Sequence, residues 1–262
     1  MGATEADRMS GHDGTTTMIG GLPITALDMQ ASARCLVDAA LRARGHRQRP
    51  FYATSANGQV IALARGDAAF RSLLLDADQI HADGMPMVLL SPLVSQAPLP
   101  ERVATTDLVH EVAALAQVEG ASFYFLGGTP EVNGAAVARM RETYPQLVFA
   151  GARSGYYDPA QEPAIVAEIA RLQPDILWVG LGVPLEQQFV ARNIDRLRGV
   201  GVIKTSGGLF DFLAGRNSRA PRFMQAAGLE WAYRTMLEPR RLLGRYLRTN
   251  IIAMWQIVKH SK

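Results

Sequence analysis

The sequence predicts an α/β fold in which a parallel β-sheet is covered by helices on both faces. Short apolar runs that end in glycine or small polar residues are typical of strands buried on both faces. Helical segments of roughly ten to fifteen residues separate these runs, as in right-handed βαβ units. The 262 residues are 48% hydrophobic and 19% charged. This composition supports a large core and excludes disorder as the main state.

The first half of the chain begins with a polar tail at 1–16 and an extended segment at 18–24. Asn57 and Asp67 each precede a helical pattern, and both residue types are good N-caps. The predicted helices lie at 25–44, 59–65 and 86–93, and the predicted strands lie at 51–55 and 79–82. The alternation of strand and helix therefore begins at residue 51.

The second half continues this alternation with clearer signals. Thr129-Pro130 and Asp158-Pro159 each combine an N-cap with a proline in the first turn, and Pro184 opens a third helix. The predicted strands lie at 122–126, 147–150, 175–180 and 200–205, and the predicted helices lie at 130–144, 158–171 and 184–197. Strand signals stop after Gly215.

The segment from Arg216 to Lys262 is strongly basic. It contains ten Lys or Arg and two Glu, a net charge of +8, whereas the whole chain carries +3, so the other residues together carry −5. Its last predicted helix, 240–258, is amphipathic, with an apolar stripe beside an arginine stripe. Such a helix suits an anionic bilayer surface, and it also suits packing on the body of the protein. Charge alone leaves a phosphate ligand, a membrane and nucleic acid open as partners.

Missing patterns exclude or disfavour several classes of protein. The single cysteine, Cys35, allows no intramolecular disulfide and no cysteine-based zinc cluster, which fits a reducing cytoplasm. No apolar run approaches the roughly 20 residues that span a bilayer. A P-loop is absent, and Gly180-Leu181-Gly182 does not continue as a dinucleotide-binding motif. Asp76 and Asp78 form a D-x-D triplet, but they lie where a helix ends before a strand, which favours a structural role over metal binding.

Polar residues and glycines follow several of the predicted strands. Ligands of parallel α/β sheets bind beyond the carboxyl ends of the strands, so these residues are the first candidates for a site. Asp83 ends the strand at 79–82 and precedes a glycine that lets a ligand approach closely. It could instead be the N-cap of the helix at 86–93. Two glycine-containing turns, 127–129 and 206–208, offer backbone N–H groups to an anion.

An ordered series of short motifs runs through the chain from residue 18 to residue 250. The motifs are S-A-N (55–57), A-D-G-M (82–85), E-R-V (101–103), T-D-L (106–108), F-L-G-G (125–128), G-V-P (182–184), G-G-L-F-D-F-L-A-G (207–215), R-A-P-R (219–222), G-L-E-W-A-Y-R (228–234) and E-P-R-R (238–241). This series resembles the WecG/TagA/CpsF family of bacterial glycosyltransferases. The C-terminal motifs are long and unusual in combination, so the resemblance is specific at the level of the family.

The resemblance implies an inverting, metal-independent glycosyltransferase without a cofactor. It would move a hexose or N-acetylhexosamine from a UDP-sugar to a saccharide on a polyprenyl diphosphate, in cell-surface or exopolysaccharide biosynthesis. The sugar would be glucose, N-acetylmannosamine or its uronic acid, and among these we slightly favour glucose. The enzyme would work as a peripheral protein on an anionic membrane surface, at the cytoplasmic face of the bacterial plasma membrane, and nucleic acid would not be a partner.

The resemblance also assigns roles to residues. It implies that Asp83 is the general base and that Ser55 is catalytic. A larger set would bind the substrates: the nucleotide-pocket residues Asn57, Gly128, Glu186, Gln187 and Asp211, the phosphate contact Arg102, and the C-terminal arginines Arg219, Arg222, Arg234 and Arg241. The family commonly has P-K-Q-E where this chain has P-L-E-Q at 184–187, so either Glu186 or Gln187 faces the nucleotide. Gly244 stands where the family has a second arginine.

Together, these observations predict a Rossmann-like α/β domain at 17–215 and a helical basic appendage at 216–262, preceded by a disordered tail at 1–16. The appendage would close over the active site and bind the membrane. Two other interpretations stay open: a nicotinamide or adenosine cofactor enzyme on the same type of sheet, and a nucleic-acid-binding module that uses the C-terminal arginines. The missing glycine fingerprint disfavours the first, and the apolar residues between the arginines disfavour the second.

Overall fold

The structure is a computed structural model that describes residues 15–221, 224, 229–237 and 239–261. All but the last two residues of the predicted tail at 1–16 lie outside these ranges, and Thr16 opens the first strand. The elements in chain order are β1 (Thr16–Ile19), β2 (Leu22–Thr25), α1 (Met29–Ala43), β3 (Phe51–Ala56), α2 (Gly58–Gly66), α3 (Ala68–Leu75), β4 (Gln79–Ala82), α4 (Met85–Val94), α5 (Thr105–Glu119), β5 (Ser122–Gly127), α6 (Pro130–Thr143), β6 (Val148–Arg153), a 3₁₀ turn (Pro159–Gln161), α7 (Glu162–Leu172), β7 (Ile176–Gly180), α8 (Leu185–Asn193), β8 (Val202–Thr205), α9 (Leu209–Leu213), α10 (Glu230–Leu237) and α11 (Pro239–Lys259).

The predicted parallel sheet is confirmed. Its six strands lie in the order β4-β3-β8-β7-β5-β6, and all neighbouring pairs are parallel. Side chains of β5 alternate between the two faces: Phe123 and Phe125 pack with α1, α5, α6 and α9, whereas Tyr124 and Leu126 pack with α7 and α8. Because both faces are covered, the strands are apolar without alternation. The carboxyl ends of β3, β4 and β8, which carry the site, lie side by side at one end of the sheet.

Two local predictions need correction, and one helix was not predicted. The extended segment at 18–24 is an antiparallel hairpin, because Gly20 and Gly21 adopt the positive φ angles that a two-residue turn requires. The first helix begins at Met29 rather than at Thr25, with Asp28 as its N-cap. Helix α5 was not predicted at all. Its N-cap, Ala104, makes no side-chain capping bond, so the usual start signal is absent.

The long final helix, predicted at 240–258, is confirmed as α11, and it packs on α2 and α4. Ala253 and Ile257 are buried in the same apolar cluster as Ile19 and Leu22 of the N-terminal hairpin. The backbone N–H of Gly21 also donates to the carbonyl oxygen of His260, at 2.9 Å. The final turns of α11 are therefore part of a core. None of the helices in the described ranges is both long enough and apolar enough to cross a bilayer.

Candidate active site

Asp83 lies directly after β4, at the end of the sheet. Its backbone N–H donates to the carbonyl of Ala56 at 2.8 Å, which continues the pairing of β4 with β3. Gly84, not Asp83, is the N-cap of α4, so the alternative N-cap role is wrong. The Asp83 carboxylate faces α5 instead, where Oδ2 accepts from the backbone N–H of Thr105 at 3.3 Å and from its hydroxyl at 3.2 Å. The positive end of the α5 dipole therefore faces this carboxylate.

The pKa of Asp83 is raised above its ordinary value. Burial is the largest cause, and it is partly opposed by Arg102, by the hydrogen bond from Thr105 and by Lys204. The Arg102 Nε lies 3.9 Å from Oδ1. A carboxylate whose pKa is raised binds a proton more readily than an exposed one, which is the property that a general base needs. The neighbouring cations oppose this shift, because they favour the ionised form of the carboxylate.

Ser55 and Lys204 lie beside Asp83, on the adjacent strands β3 and β8. Lys204 is fully buried, and its Nζ donates to Ser55 Oγ at 2.9 Å and to the carbonyl of Thr205 at 2.8 Å. Burial lowers the pKa of Lys204 to about 8, against the raising effect of Asp83 and Glu186. The sequence analysis missed Lys204. A signal was present, because a lysine within the otherwise apolar run at 200–205 must either be paired or lie at the strand end.

Glu186 and Gln187 are both buried at the start of α8. Oε2 of Glu186 accepts from the backbone N–H groups of Gly182, at 3.2 Å, and Gly207, at 2.9 Å. Burial raises the pKa of Glu186 to about 7, although these bonds and Lys204 oppose the shift. Glu186 therefore ties together the loops after β7 and β8. It also takes one N–H group of the turn at 206–208, which was predicted to bind an anion.

Three charged residues connect the site to the C-terminal segment. Glu230 of α10 lies 2.9 Å from the Arg102 Nη2 and 3.2 Å from the Arg219 Nε. Arg219 also donates to both carboxylate oxygens of Asp107, at 2.6 and 3.1 Å. The side chains of Arg102 and Glu230 are only 14% and 17% exposed. One carboxylate thus holds both Arg102, which the resemblance assigned to phosphate, and Arg219, which it assigned to substrate binding.

The structure describes three of the other predicted site residues: Asn57, Gly128 and Asp211. Asn57 caps α2, with Oδ1 accepting from the N–H groups of Gln59 and Val60 at 3.0 and 3.1 Å. Gly128 has a φ of +65° after β5 and packs near Phe210 of α9, the residue before the half-buried Asp211. Arg222 lies outside the described residues. Arg234 and Arg241 belong to α10 and α11, but their side chains also lie outside what the structure describes.

The D-x-D triplet has structural contacts. Asp76 is the C-cap of α3. Oδ2 of Asp78 accepts from the backbone N–H of Tyr52 at 2.7 Å and from Arg49 at 3.1 Å. Within the described ranges, no three His, Cys, Asp or Glu side chains are grouped so that they could hold a metal ion.

Comparison with known proteins identifies the family. The model of the glycosyl transferase WecG/TagA/CpsF family matches residues 17–262. The chain belongs to this family. Two relatives from Staphylococcus aureus, strains MRSA252 and NCTC 8325, are each 30% identical over 211 residues, which cover 80% of this chain and 81% of the relative. Both relatives are named N-acetylglucosaminyldiphosphoundecaprenol N-acetyl-beta-D-mannosaminyltransferase.

Membership in the WecG/TagA/CpsF family makes the protein a glycosyltransferase, as the resemblance predicted. The geometry fits the two chemical needs of glycosyl transfer. A half-buried carboxylate, Asp83, can accept a proton, and the guanidinium groups of Arg102 and Arg219 can stabilise the negative charge of a leaving phosphate. These groups come from segments far apart in the chain, and the fold brings them together.

Proposed function

We propose that the protein is an inverting, metal-independent glycosyltransferase that uses a UDP-sugar as donor. The acceptor in this proposal is a saccharide on a polyprenyl diphosphate. The observation that carries the proposal is the position of Asp83 beside Arg102, with Arg219 joined to Arg102 through Glu230. A base close to a pair of cations suits a single displacement in which a hydroxyl group attacks and a diphosphate leaves.

In the proposed reaction, the acceptor hydroxyl oxygen attacks the anomeric carbon while the bond from that carbon to the UDP oxygen breaks. The hydroxyl proton passes to Asp83, and UDP leaves with the electron pair of the broken bond. Attack opposite the leaving group inverts the configuration. Arg102 and Arg219 would meet the diphosphate after exchanging Glu230 for phosphate oxygens, because guanidinium binds both groups in the same planar geometry.

The relatives' names support N-acetylmannosamine as the sugar and an N-acetylglucosaminyl diphosphate lipid as the acceptor. We therefore propose UDP-N-acetylmannosamine as the donor, in place of the glucose favoured from the sequence. The proposed place of action is the cytoplasmic face of the bacterial plasma membrane. A lipid-linked acceptor requires that the enzyme work at a bilayer surface.

A donor screen tests the proposal. Purified protein is assayed with UDP-N-acetylmannosamine, UDP-glucose or the uronic acid donor, and with a short-chain pyrophosphoryl-linked N-acetylglucosamine as acceptor. Sugar transfer should be fastest from UDP-N-acetylmannosamine. Transfer should continue in EDTA, because arginine side chains rather than a divalent ion meet the diphosphate. UDP should bind in a titration in which NAD and duplex DNA do not. Loss of activity in EDTA that magnesium restores would contradict metal independence, and the absence of transfer from all three donors would contradict the donor class.

We also propose that 216–262 both closes the site and binds an anionic bilayer. Contact of Glu230 with Arg102 supports the first role. The second is supported by exposed apolar side chains on α11, Met254 (42% exposed) and Val258 (63% exposed), next to Lys259. Such a surface combines an apolar contribution with electrostatic attraction to anionic lipid.

Substituting Met254 and Val258 together by Ser should weaken binding to phosphatidylglycerol vesicles by roughly 30-fold, because each half-exposed side chain contributes on the order of 1 kcal/mol when buried. Vesicle flotation at low and high salt measures this loss, which should persist at high salt because screening does not remove the apolar contribution. Val118→Ser on α5, where the side chain is 80% exposed, is the matched control. Unchanged flotation of the double variant would show that α11 does not face the bilayer.

A further inference from the structure

A chain of hydrogen bonds connects Lys204 with Asp83 through two hydroxyl groups. The Lys204 Nζ lies 2.9 Å from Ser55 Oγ, Ser55 Oγ lies 3.0 Å from Thr105 Oγ1, and Thr105 Oγ1 lies 3.2 Å from Asp83 Oδ2. A lysine ammonium group can only donate and a carboxylate can only accept, so the Ser55 hydroxyl accepts from Lys204 and donates its hydrogen to the Thr105 hydroxyl. Thr105 then donates to Asp83, and the direction of every bond in the chain is fixed.

Packing alone does not explain a lysine at this position. Lys204 pairs across the sheet with Ala53 on one side and Trp178 on the other, and its side chain is completely buried. A methionine or leucine would fill similar space without burying a charge. Burying one charged group normally costs several kcal/mol of desolvation free energy. The ammonium group is therefore best explained by the groups that it holds. These are Ser55, the Thr205 carbonyl and the nearby carboxylates of Asp83 and Glu186.

We propose that Lys204 is a positioning residue for the general base, acting on Asp83 through Ser55 and Thr105. The chain occupies Oδ2 of Asp83, so that Oδ1, on the side of Arg102, is left to receive the proton of the acceptor hydroxyl. The positive charge of Lys204 also favours the ionised form of Asp83. This inference rests on the proposed function, because it assumes that Asp83 acts as the base.

Several charged groups besides Lys204 act on this carboxylate. Arg102 precedes α5, and Arg219 and Glu230 belong to the C-terminal segment. Two further groups face Lys204 itself: Glu186 on α8 and His81 on β4. The pKa of His81 is lowered well below its ordinary value by burial and by Lys204. His81 therefore stays neutral near pH 7 and does not substitute for the lysine.

These charged groups determine the direction in which the pH profile of kcat should move when Lys204 is replaced. Burial raises the pKa of Asp83, and Lys204 and Arg102 oppose that rise. Removing the charge of Lys204 raises the pKa of Asp83 further. A general base must be ionised, so the acid limb of the profile of kcat against pH should move to higher pH.

The test is Lys204→Met in the full-length protein, with kcat measured against pH at saturating donor. The acid limb should move upward by roughly one pH unit or more, as expected when an opposite charge is removed. At pH values below the midpoint of this limb, the kcat of Lys204→Met should be roughly 10-fold or more below that of the unchanged protein. The KM for the donor should stay within a few-fold of the unchanged value. Ser55→Ala and Thr105→Val break the chain but keep the lysine, and Ser55→Thr should restore function. A uniform loss of kcat at every pH, with the limb unmoved, would reduce Lys204 to a structural role.

A second readout does not depend on transfer activity. The ¹³C NMR chemical shift of the Asp83 carboxyl carbon is measured as a function of pH. The signal is assigned as the one that is missing from the spectrum of Asp83→Asn. The pKa should be higher in Lys204→Met than in the unchanged protein, and an equal pKa overturns the inference. If Lys204→Met does not fold, the same comparison with Ser55→Ala and Thr105→Val decides it. Absence of transfer by the unchanged protein would count against the proposed function, and the titration would still decide the role of Lys204.

Discussion

Replacing Asp83 with asparagine should lower turnover by roughly 10²- to 10⁴-fold, the range expected when a general base is lost. Asparagine keeps the shape of the side chain, and its amide oxygen can still accept from the N–H and hydroxyl of Thr105. It cannot accept the proton of the acceptor hydroxyl. The measurements are kcat at saturating donor and a titration with UDP, in which the Kd should stay within a few-fold.

Asp76→Asn is the matched control for this substitution. Asp76 is an exposed carboxylate and the first member of the D-x-D triplet, so turnover should stay near normal. A folded Asp83→Asn protein with nearly normal turnover would remove Asp83 from the mechanism. A large loss in Asp76→Asn would instead revive the metal-binding interpretation of the triplet.

Replacing Arg102 with alanine should lower kcat/KM for the donor by roughly 10²- to 10³-fold, similar to the loss of one charge-stabilising group in other active sites. Arg102 lies between Asp83 and Glu230 and is largely buried. Its loss removes a cation from the leaving diphosphate and leaves Asp83 and Glu230 with one cation fewer. It should also raise the pKa of Asp83, because Arg102 is the largest influence opposing burial. The loss should therefore be greatest at low pH, where the base is protonated.

Two variants separate these effects from a general loss of stability. Arg102→Lys keeps the charge but not the planar fork, so its kcat/KM should lie between those of the unchanged protein and Arg102→Ala. Arg192→Ala removes an exposed ion pair with Glu162 and should change neither kcat nor the midpoint of thermal unfolding appreciably. If folded Arg102→Ala has the same kcat/KM as Arg192→Ala, Arg102 does not meet the diphosphate.

The order of strands and helices could be predicted because it depends on local signals. The predicted strand at 79–82 matches β4, and Asn57 caps α2 as its position suggested. Asp83 could be placed at the end of a strand for the same reason. None of these three predictions requires knowledge of which strands are neighbours.

The partners of Asp83 depend on contacts between distant segments. Lys204 reaches Ser55 because β8 inserts between β3 and β7, and no local pattern reveals that strand order. Thr105 could not be placed either, because α5 lacks a capping signal. The arginines were expected to be available for phosphate, yet Glu230 holds both Arg102 and Arg219. Such pairings follow from the folded arrangement and not from composition or spacing.

The close packing of α11 against α2 sets how far the site can stand from a surface that α11 touches. A Cβ on Gly58 would lie only 3.4 Å from the Ala253 Cβ, so the two helices meet with almost no side chain between them. Gly58 is the next residue after Asn57, which borders the site. One helix is about 10–12 Å across, and Met254 and Val258 lie on an exposed side of α11, away from the buried Ala253. In the proposed membrane-bound arrangement, α11 would keep the site within about one helix diameter of the bilayer surface, at the height of the lipid headgroups. The acceptor would not have to be drawn out of the membrane to react.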